Sequence, residues 1–428
     1  MSGPYRRRVI DDELDMLLAG VVAVSLDGPR GVGKTATASQ RARTVFALDD
    51  PAAAELFGAD PDRLVSASPP VLVDEWQRVP GSWDNVRRAV DRDSSPGRFL
   101  LAGSAWPQTP PAHSGAGRIV GVRMRPLTLA ERGVGTPSVS LATLLTGRPG
   151  SRAPVAGSTS VGLPEYTHQI VTGGFPGMRS DSGRVRRTLL RSYLDRVVAR
   201  DFPEAGLAVR NPATLRRWLA AYAAATGTTS SYEAIRDVAT TGDGGKPAKT
   251  TTIRYQDTLQ RIWLSDPVPA WLPTRNHLRR LTQAPKHYLA DPALAVSLTE
   301  LTTDELLAGR EPRQPIVRDG TYLGSLFEAL AALSVRVFAQ AAEARVAHLR
   351  THNGLREIDF VVTGPDGRVV ALEVKLARTV DHRDVRHLQW LKGALGDGLA
   401  DMVVLTTGPD AYRRADGVAV VPLALLGP

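Results

Sequence analysis

The chain contains no cysteine, and lysine is scarce in it. The absence of cysteine among 428 residues excludes disulfides, thiolate metal sites and a cysteine nucleophile. Only 6 of the 53 basic residues are lysine, so arginine carries most of the net charge of +9. Arginine suits phosphate contacts, but heavy arginine usage is also typical of a GC-rich genome. The charge therefore gives modest support to a nucleic-acid partner.

The sequence predicts neither a membrane span nor a secretory leader. No stretch reaches the roughly 18 apolar residues that a membrane span needs. The basic start is followed by the acidic Asp11, Asp12 and Glu13, where a secretory leader would need an apolar region. We therefore predict a cytoplasmic protein without a membrane partner, and the length favours about two to four domains.

A phosphate-binding motif lies near the start of the chain. The pattern G-x-x-x-x-G-K-T directly follows an apolar run, and its residues are Gly28, Pro29, Arg30, Gly31, Val32, Gly33, Lys34 and Thr35. Between a strand and a helix, such glycines let backbone N–H groups surround a polyphosphate. Lys34 would contact the β- and γ-phosphates, and the Thr35 hydroxyl would hold Mg²⁺. A glycine-rich turn is the alternative. We predict that this loop binds ATP with Mg²⁺.

Two later strands end in polar residues that would complete such a site. The apolar run from Pro70 leads into Asp74 and Glu75, the Walker B arrangement. Asp74 would bind the Mg²⁺ shell, and Glu75 would act as the general base that polarises water. A third strand ends at Ser104, where a group sensing the γ-phosphate would lie. The alternatives are an edge strand running into an acidic turn, and a serine that caps a turn.

The pattern of elements divides the chain into four regions. Alternating strands and helices over residues 1–150 predict an α/β domain with a doubly wound parallel sheet. Residues 151–207 are predicted to be a linker followed by a helical subdomain. Residues 208–280 show the pattern of a winged helix, which contacts DNA in some proteins and protein in others. Residues 285–428 predict a further α/β domain.

Three acids and a lysine in the last region have a suggestive spacing. Asp359 lies on one predicted strand, and Glu373 and Lys375 lie two apart on the next, so that these two share a face. Glu328 lies on the preceding helix. Carboxylates so placed would hold a second Mg²⁺ or Mn²⁺, and Lys375 would position water for attack on a phosphodiester. The alternative is a half-exposed strand with a solvent-facing Glu/Lys pair.

Taken together, the chain resembles the bacterial and archaeal AAA+-related ATPases that carry a C-terminal PD-(D/E)xK nuclease-like domain of uncharacterised function. The segments that carry this resemblance are Gly28–Thr35, Leu48–Pro51, Val73–Pro80, Pro96–Ser104, Gly117–Ile119, Gly173–Pro176, Tyr193–Asp195, Arg200–Asp201, Glu328, Ile358–Phe360 and Glu373–Lys375. The resemblance implies an ATPase core, a winged-helix segment and a restriction-endonuclease-like domain. It also implies that Ser104 is the sensor residue and that an arginine such as Arg118 faces the γ-phosphate.

The leading prediction is a P-loop ATPase whose nucleotide-driven motion controls a domain that processes nucleic acid, with DNA preferred to RNA. The rival is a nucleotide-gated regulatory or binding protein with an inactive nuclease-like domain, and a small-molecule kinase is a third alternative. Arg200 and Asp201, at a predicted helix end, are expected to contact a neighbouring domain or subunit, unless they form a solvated helix end. A homo-oligomer is compatible with this prediction.

Overall fold

The computed structural model contains two main sheets joined by helices. It describes residues 5–105, 114–147, 152–180, 182–240, 246–271, 284–313, 316, 320–351 and 354–428.

The N-terminal region forms a five-stranded parallel sheet. Its elements are α1 (Ile10–Gly20), β1 (Ala23–Asp27), α2 (Lys34–Ser39), β2 (Thr44–Ala47), α3 (Pro51–Ala59), α4 (Arg63–Ser66), β3 (Val71–Asp74), a 3₁₀ turn (Trp76–Arg78), α5 (Gly81–Arg92), β4 (Phe99–Gly103) and β5 (Ile119–Arg123). The strand order is β2-β3-β4-β1-β5, and every neighbouring pair is parallel. The predicted parallel sheet is therefore confirmed.

Helices cover both faces of this sheet, which explains its continuous apolar strands. One face packs Leu101 against Trp76 and Trp83, and the other packs Leu100 against Leu14. Because alternate side chains of each strand enter opposite cores, β1, β3 and β4 are apolar nearly throughout. Their carboxyl ends meet at one edge, which is where the predicted nucleotide residues follow.

A mainly helical region follows the first sheet. Its elements are α6 (Leu129–Arg132), β6 (Val139–Ser140), α7 (Leu141–Thr146), β7 (Gly157–Ser158), α8 (Leu163–Thr172), α9 (Gly183–Arg196), a π-helical turn (Val197–Asp201), α10 (Phe202–Glu204), α11 (Pro212–Ala224), α12 (Tyr232–Val238), α13 (Lys249–Arg261), α14 (Pro292–Thr299) and α15 (Thr303–Leu307). Helices α11 to α13 lie within residues 208–280, the region in which the winged helix is predicted.

The segment after α13 forms its backbone bridges with later parts of the chain. In the described part of the chain, Ser265 bridges Leu289, Val268 bridges Lys286 and Ala270 bridges His348. These bridges tie the segment to the C-terminal region, so the winged-helix architecture stays a prediction.

The C-terminal region is built on a seven-stranded mixed sheet. Its elements are α16 (Tyr322–Ala341), β8 (Arg345–Arg350), β9 (Glu357–Thr363), β10 (Val369–Val374), α17 (Arg386–Leu395), β11 (Leu399–Thr406), β12 (Asp410–Arg413), β13 (Ala419–Pro422) and β14 (Leu426–Gly427). The order is β7-β12-β13-β11-β10-β9-β8, in which β8, β9 and β10 are antiparallel neighbours and β10, β11 and β13 are parallel. Part of the predicted linker is thus an edge strand, β7, paired with β12.

Helix α16 is the core helix of this region. It is the one helix in the described ranges that is long and apolar enough to cross a membrane, but 78% of its apolar window is buried inside the protein. Glu328 and Arg336 interrupt its sequence, so the helix contains no unbroken apolar run of about 18 residues. One hydrophobic core contains Leu330 of α16, Trp218 of α11 and Phe360 of β9, so the middle helices and the C-terminal sheet pack as one unit.

A buried carboxylate joins the first sheet to this unit. Asp266, which is 5% exposed, forms ion pairs with Arg123 (2.9 Å), Arg125 (2.8 Å) and Arg336 (2.5 Å). Burial alone would raise the pKa of Asp266, but these arginines hold it well below its ordinary value. The ionised carboxylate therefore connects β5, the segment after it and α16.

Candidate functional site

The phosphate-binding loop depends on glycine at defined positions. Strand β1 ends at Asp27, and Gly31 and Gly33 have φ values of 77° and 104°, in the left-handed region that favours glycine. A Cβ added to Gly28 would lie 2.3 Å from the carbonyl oxygen of Met124. The loop can therefore pass close to the chain after β5 only with glycine at this position.

Lys34 lies at the centre of this loop. Its side chain is buried, and its Nζ donates hydrogen bonds to the carbonyl oxygens of Gly28 (2.8 Å) and Pro29 (2.9 Å). Burial lowers the pKa of Lys34 to about 8. Helix α2 has only six residues, so its dipole adds little. The lysine and the backbone N–H groups are the groups available to a phosphate, which would replace the two loop carbonyls as partners of the amine.

The predicted magnesium ligands lie together at the carboxyl edge of the sheet. The Thr35 hydroxyl donates to Asp74 Oδ1 at 3.0 Å. Asp74 is 7% exposed, and burial raises its pKa. A hydroxyl and a carboxylate beside a polyphosphate loop are oxygen donors of the kind that Mg²⁺ prefers, so these residues fit the predicted ion.

Glu75 is held beside this pair by two polar neighbours. It has a φ of 50°, which is uncommon for a residue with a side chain. Its Oε2 accepts hydrogen bonds from Gln77 Nε2 (2.5 Å) and from the Ser104 hydroxyl (3.4 Å). The structure therefore brings Glu75 and Ser104 together as predicted. Gln77 was not predicted as a site residue, although it lies two positions from Glu75 in the same motif.

Arg118 lies away from this edge. It precedes β5, whose first residue pairs with Ala23, whereas the loop follows Asp27 at the other end of β1. Its Nε forms an ion pair with Asp91 at 2.5 Å, on the surface of α5. Because β1 and β5 are parallel, the start of β5 is at the edge opposite the loop. The expectation that Arg118 faces the γ-phosphate is corrected accordingly for this chain.

The four predicted C-terminal residues also come together. They line a cavity of about 710 Å³, with the segment 227–230 and the start of α16 on its other sides. Lys375 Nζ contacts Glu373 Oε1 at 2.9 Å, and Val374 N donates to Asp359 Oδ2 at 2.8 Å. The shared face of Glu373 and Lys375 is therefore as predicted. Glu373 is largely buried, whereas the Lys375 side chain is one-third exposed, so this pair faces the solvent only in part.

A second lysine, Lys286, lies among these acids, and it was not predicted as a site residue. Lys286 is 1% exposed, and its Nζ lies 2.7 Å from Asp359, 2.9 Å from Glu328 and 2.9 Å from Glu357. Burial alone would lower the pKa of Lys286, but the carboxylates raise it well above its ordinary value. The only sequence signal that could have pointed to Lys286 is the scarcity of lysine, since the chain has 6 lysines in 428 residues.

The C-terminal acids do not fit the predicted second metal. The Lys286 ammonium already contacts two of the predicted acids, Glu328 and Asp359, together with Glu357, and no group of three or more metal-binding side chains is present in the residues that the structure describes. We therefore assign no chemistry through a metal to this cavity.

Comparison with known families agrees with the geometry of the first sheet. Residues 22–132 match a family model described as an AAA domain. This segment, which contains the phosphate-binding loop, is therefore similar to AAA domains. Residues 163–305 and 323–426 match two further models, each described as a domain of unknown function (DUF8612 and DUF4143).

Similar proteins span most of this chain. Uncharacterized protein Rv2008c of Mycobacterium tuberculosis and Uncharacterized protein Mb2031c of Mycobacterium bovis are each 28% identical over 411 residues, covering 93% of this chain and 79% of the relative. Among solved structures, a Walker-type ATPase of Pyrococcus abyssi aligns at 14% identity and a TM-score of 0.38, over 69% of this chain and 96% of that one. The ORC2 protein of Aeropyrum pernix aligns at 14% identity and a TM-score of 0.28, over 72% and 97%.

The phosphate-binding loop contacts the helical region directly. Arg30, within the loop, forms ion pairs with Asp201 (2.5 Å) and Glu204 (2.6 Å), and its carbonyl accepts from the Tyr193 hydroxyl (3.2 Å). The expected contact of Asp201 with a neighbouring domain is therefore present within the chain, whereas Arg200 is exposed. Arg30 Nε also donates to Ser104 (3.4 Å), which links this contact to the Glu75 cluster.

The C-terminal cavity should make stability depend on pH. Burial and the charge of Asp359 raise the pKa of Glu373 to about 8, and burial raises that of Glu328 to about 7. An unfolded glutamate titrates at about 4.3, so the folded chain retains protons that the unfolded chain releases. Stability should therefore fall as the pH rises from about 5 to about 8.

Replacing Glu373 with glutamine keeps its shape and removes its titration. We expect the melting temperature of Glu373→Gln to fall less over this pH window than that of the wild type, as measured by thermal denaturation. The matched control is Glu233→Gln, which alters an exposed glutamate paired with Lys249 and should follow the wild-type curve. Parallel curves for Glu373→Gln and the wild type would contradict the raised pKa.

Proposed function

We propose that this chain hydrolyses ATP with Mg²⁺ in its AAA domain. The observation that carries the proposal is that the loop lysine, the Thr35–Asp74 pair and Glu75 with Ser104 converge at one edge of the sheet. Lys34 would contact the β- and γ-phosphates, Thr35 and Asp74 would hold the Mg²⁺ shell, and Glu75 would accept a proton from the attacking water. The metal would neutralise charge on the phosphates.

Loss of the loop lysine tests the nucleotide site. Lys34→Ala should weaken ATP binding by roughly 100-fold or more, because a charge-assisted contact to the phosphates is lost. Binding is measured by titration with a fluorescent ATP analogue, and circular dichroism checks that the variant is folded. Lys249→Ala, at an exposed lysine, is the control and should bind as the wild type does. Unchanged affinity in folded Lys34→Ala would refute the assignment.

The nucleotide state is proposed to act on the helical region through Arg30. When phosphates draw Lys34 away from the carbonyls of Gly28 and Pro29, the backbone next to Arg30 must change. Arg30 is bound to Asp201, which is 7% exposed and lies at the end of the π-helical turn. A change in the loop therefore reaches the helices that share a core with the C-terminal sheet.

Hydrogen exchange can detect this coupling. We expect residues 183–204 to exchange at different rates in the wild type with a non-hydrolysable ATP analogue and without nucleotide. In Asp201→Asn this difference should shrink at least about twofold, because one charged partner of Arg30 is lost. Asp195→Asn is the matched control, because Asp195 lies on the adjoining helix α9. Among the described residues, its one ion-pair partner is the half-exposed Arg216. Identical exchange of the wild type in both states would argue against the coupling.

The C-terminal domain is proposed to bind a partner without cutting it. Lys286 among the carboxylates supports this regulatory function over the nuclease predicted first. The net charge of +9 supports a polyanionic partner, and DNA is the first ligand to test. The restriction-endonuclease-like fold, a homo-oligomer and a cytoplasmic location stay predictions. The test is an assay for cleavage of DNA and RNA with Mg²⁺ or Mn²⁺. Cleavage by the wild type that is lost in Asp359→Asn would favour a nuclease over a regulatory protein.

A further inference from the structure

The contacts of Lys286 match the donors of an ammonium in number. Its Nζ has three N–H donors, and three carboxylates from two elements lie within 2.9 Å of it: Glu328 on α16, and Glu357 and Asp359 on β9. Tyr288, two residues from Lys286, donates its hydroxyl to the same oxygen of Glu328. Lys286 is fixed in place because it forms an antiparallel bridge with Val268. The lysine is therefore held at the centre of the acids by both backbone and side-chain contacts.

The fourth acid of this cluster, Glu373, borders an open cavity. Glu373 is 7% exposed, and its Oε2 has no hydrogen-bond partner, although Lys375 contacts its Oε1. This oxygen lines the cavity of about 710 Å³. A buried carboxylate oxygen without a partner is unfavourable, and the four acids of this cluster outnumber the three nearby cations, Lys286, Lys375 and Arg350.

We propose that Lys286 is a resident cation that takes the place of a divalent metal in this cluster. The ammonium lies 2.7–2.9 Å from its three oxygens, while Mg²⁺ needs oxygens at about 2.0–2.1 Å in octahedral geometry. The ammonium and a divalent metal ion therefore cannot be bound by the same three carboxylates at the same time. A metal enters only if the ammonium leaves, and removal of Lys286 converts the cluster into a divalent metal site. This inference does not depend on ATP hydrolysis.

The test is a gain of metal binding in the full-length protein. Binding of Mn²⁺ is measured by the loss of the free-ion electron paramagnetic resonance signal, without nucleotide and in the Asp74→Asn background, so that the P-loop site does not contribute. Lys286→Ala should bind one Mn²⁺ roughly tenfold or more tightly than its parent, because a like charge is removed from among hard oxygen ligands. Adding Asp359→Asn to Lys286→Ala should abolish the gain.

The matched control is Lys392→Ala, which removes an exposed lysine from α17 and should bind Mn²⁺ as its parent does. Folded Lys286→Ala without a gained site would overturn the proposal. It would also be overturned if the parent already binds Mn²⁺ at a site that Asp359→Asn removes. Either result leaves the nucleotide assignments intact, since those are tested at Lys34.

Amine labelling of the parent protein keeps the inference testable if Lys286→Ala does not fold. Acetylation of lysines is followed by mass spectrometry with and without Mn²⁺. We expect Lys286 to remain unmodified in both conditions while the exposed Lys392 is modified in both. Modification of Lys286 that begins when Mn²⁺ is added would show that the metal displaces the ammonium, and would contradict a resident cation.

Discussion

Glu75→Gln is expected to slow ATP hydrolysis by about 10²–10⁴-fold while ATP still binds. Glutamine keeps the size of the side chain and accepts the hydrogen bond that Glu75 Oε2 receives from Gln77, but it cannot take a proton from water. Turnover is measured as released phosphate, and binding is measured separately by titration with a fluorescent ATP analogue. The separation of the two effects is what distinguishes a general base from a residue that holds the nucleotide.

An exposed glutamate provides the control for this experiment. Glu55→Gln, on the surface of α3, makes the same chemical change away from the loop and should turn over ATP as the wild type does. Gln77→Ala should reduce turnover less than Glu75→Gln, because it removes an orienting contact and leaves the base. If Glu75→Gln hydrolyses ATP at the wild-type rate, another group is the base.

The second large effect is expected at Asp266, where the consequence is for stability. Asp266→Asn leaves three largely buried arginines without their shared counter-charge. Removing one partner of a buried ion pair costs about 3–5 kcal/mol, which is a large fraction of the stability of an ordinary domain. We therefore expect a pronounced fall in the free energy of unfolding, measured with urea and followed by circular dichroism.

The control is a pair of the same chemistry on the surface. Asp91→Asn removes the shared partner of Arg118 and Arg87, and the side chains of Asp91 and Arg118 are about two-fifths exposed. Exposed pairs contribute about 0–1 kcal/mol, so this variant should unfold close to the wild-type midpoint. Similar losses in the two variants would mean that burial does not decide the contribution of Asp266.

The nucleotide site could be predicted from sequence because its chemistry is local. Gly28 to Thr35 are contiguous, and Asp74, Glu75 and Ser104 each follow a recognisable buried strand. In a parallel sheet the ends of such strands meet at one edge, so the strand pattern alone places these residues together. The same argument, applied to the direction of β5, would have placed Arg118 at the opposite edge.

The contacts between regions could not be predicted in this way. Arg30 and its partner Asp201 are 171 positions apart, and Lys286 and Asp359 are 73 apart. No periodicity indicates which charged residue meets which across such distances. Lys286 also lies in a segment that forms isolated bridges rather than a strand, so it carries no strand signal. The paired acids were visible as a pattern, whereas the cation that balances them was not.

The core shared by the middle helices and the C-terminal sheet limits how this protein can be dissected by truncation. A fragment beginning at residue 285 would retain Leu330 and Phe360 but lose Trp218 and Tyr166, which are fully buried in the same core. It would also lose β7, whose removal leaves the edge strand β12 unpaired on one side. Such a fragment would present an apolar face and an open sheet edge, which together favour aggregation. Point substitutions in the intact chain are therefore the suitable means of separating the roles of its two ends.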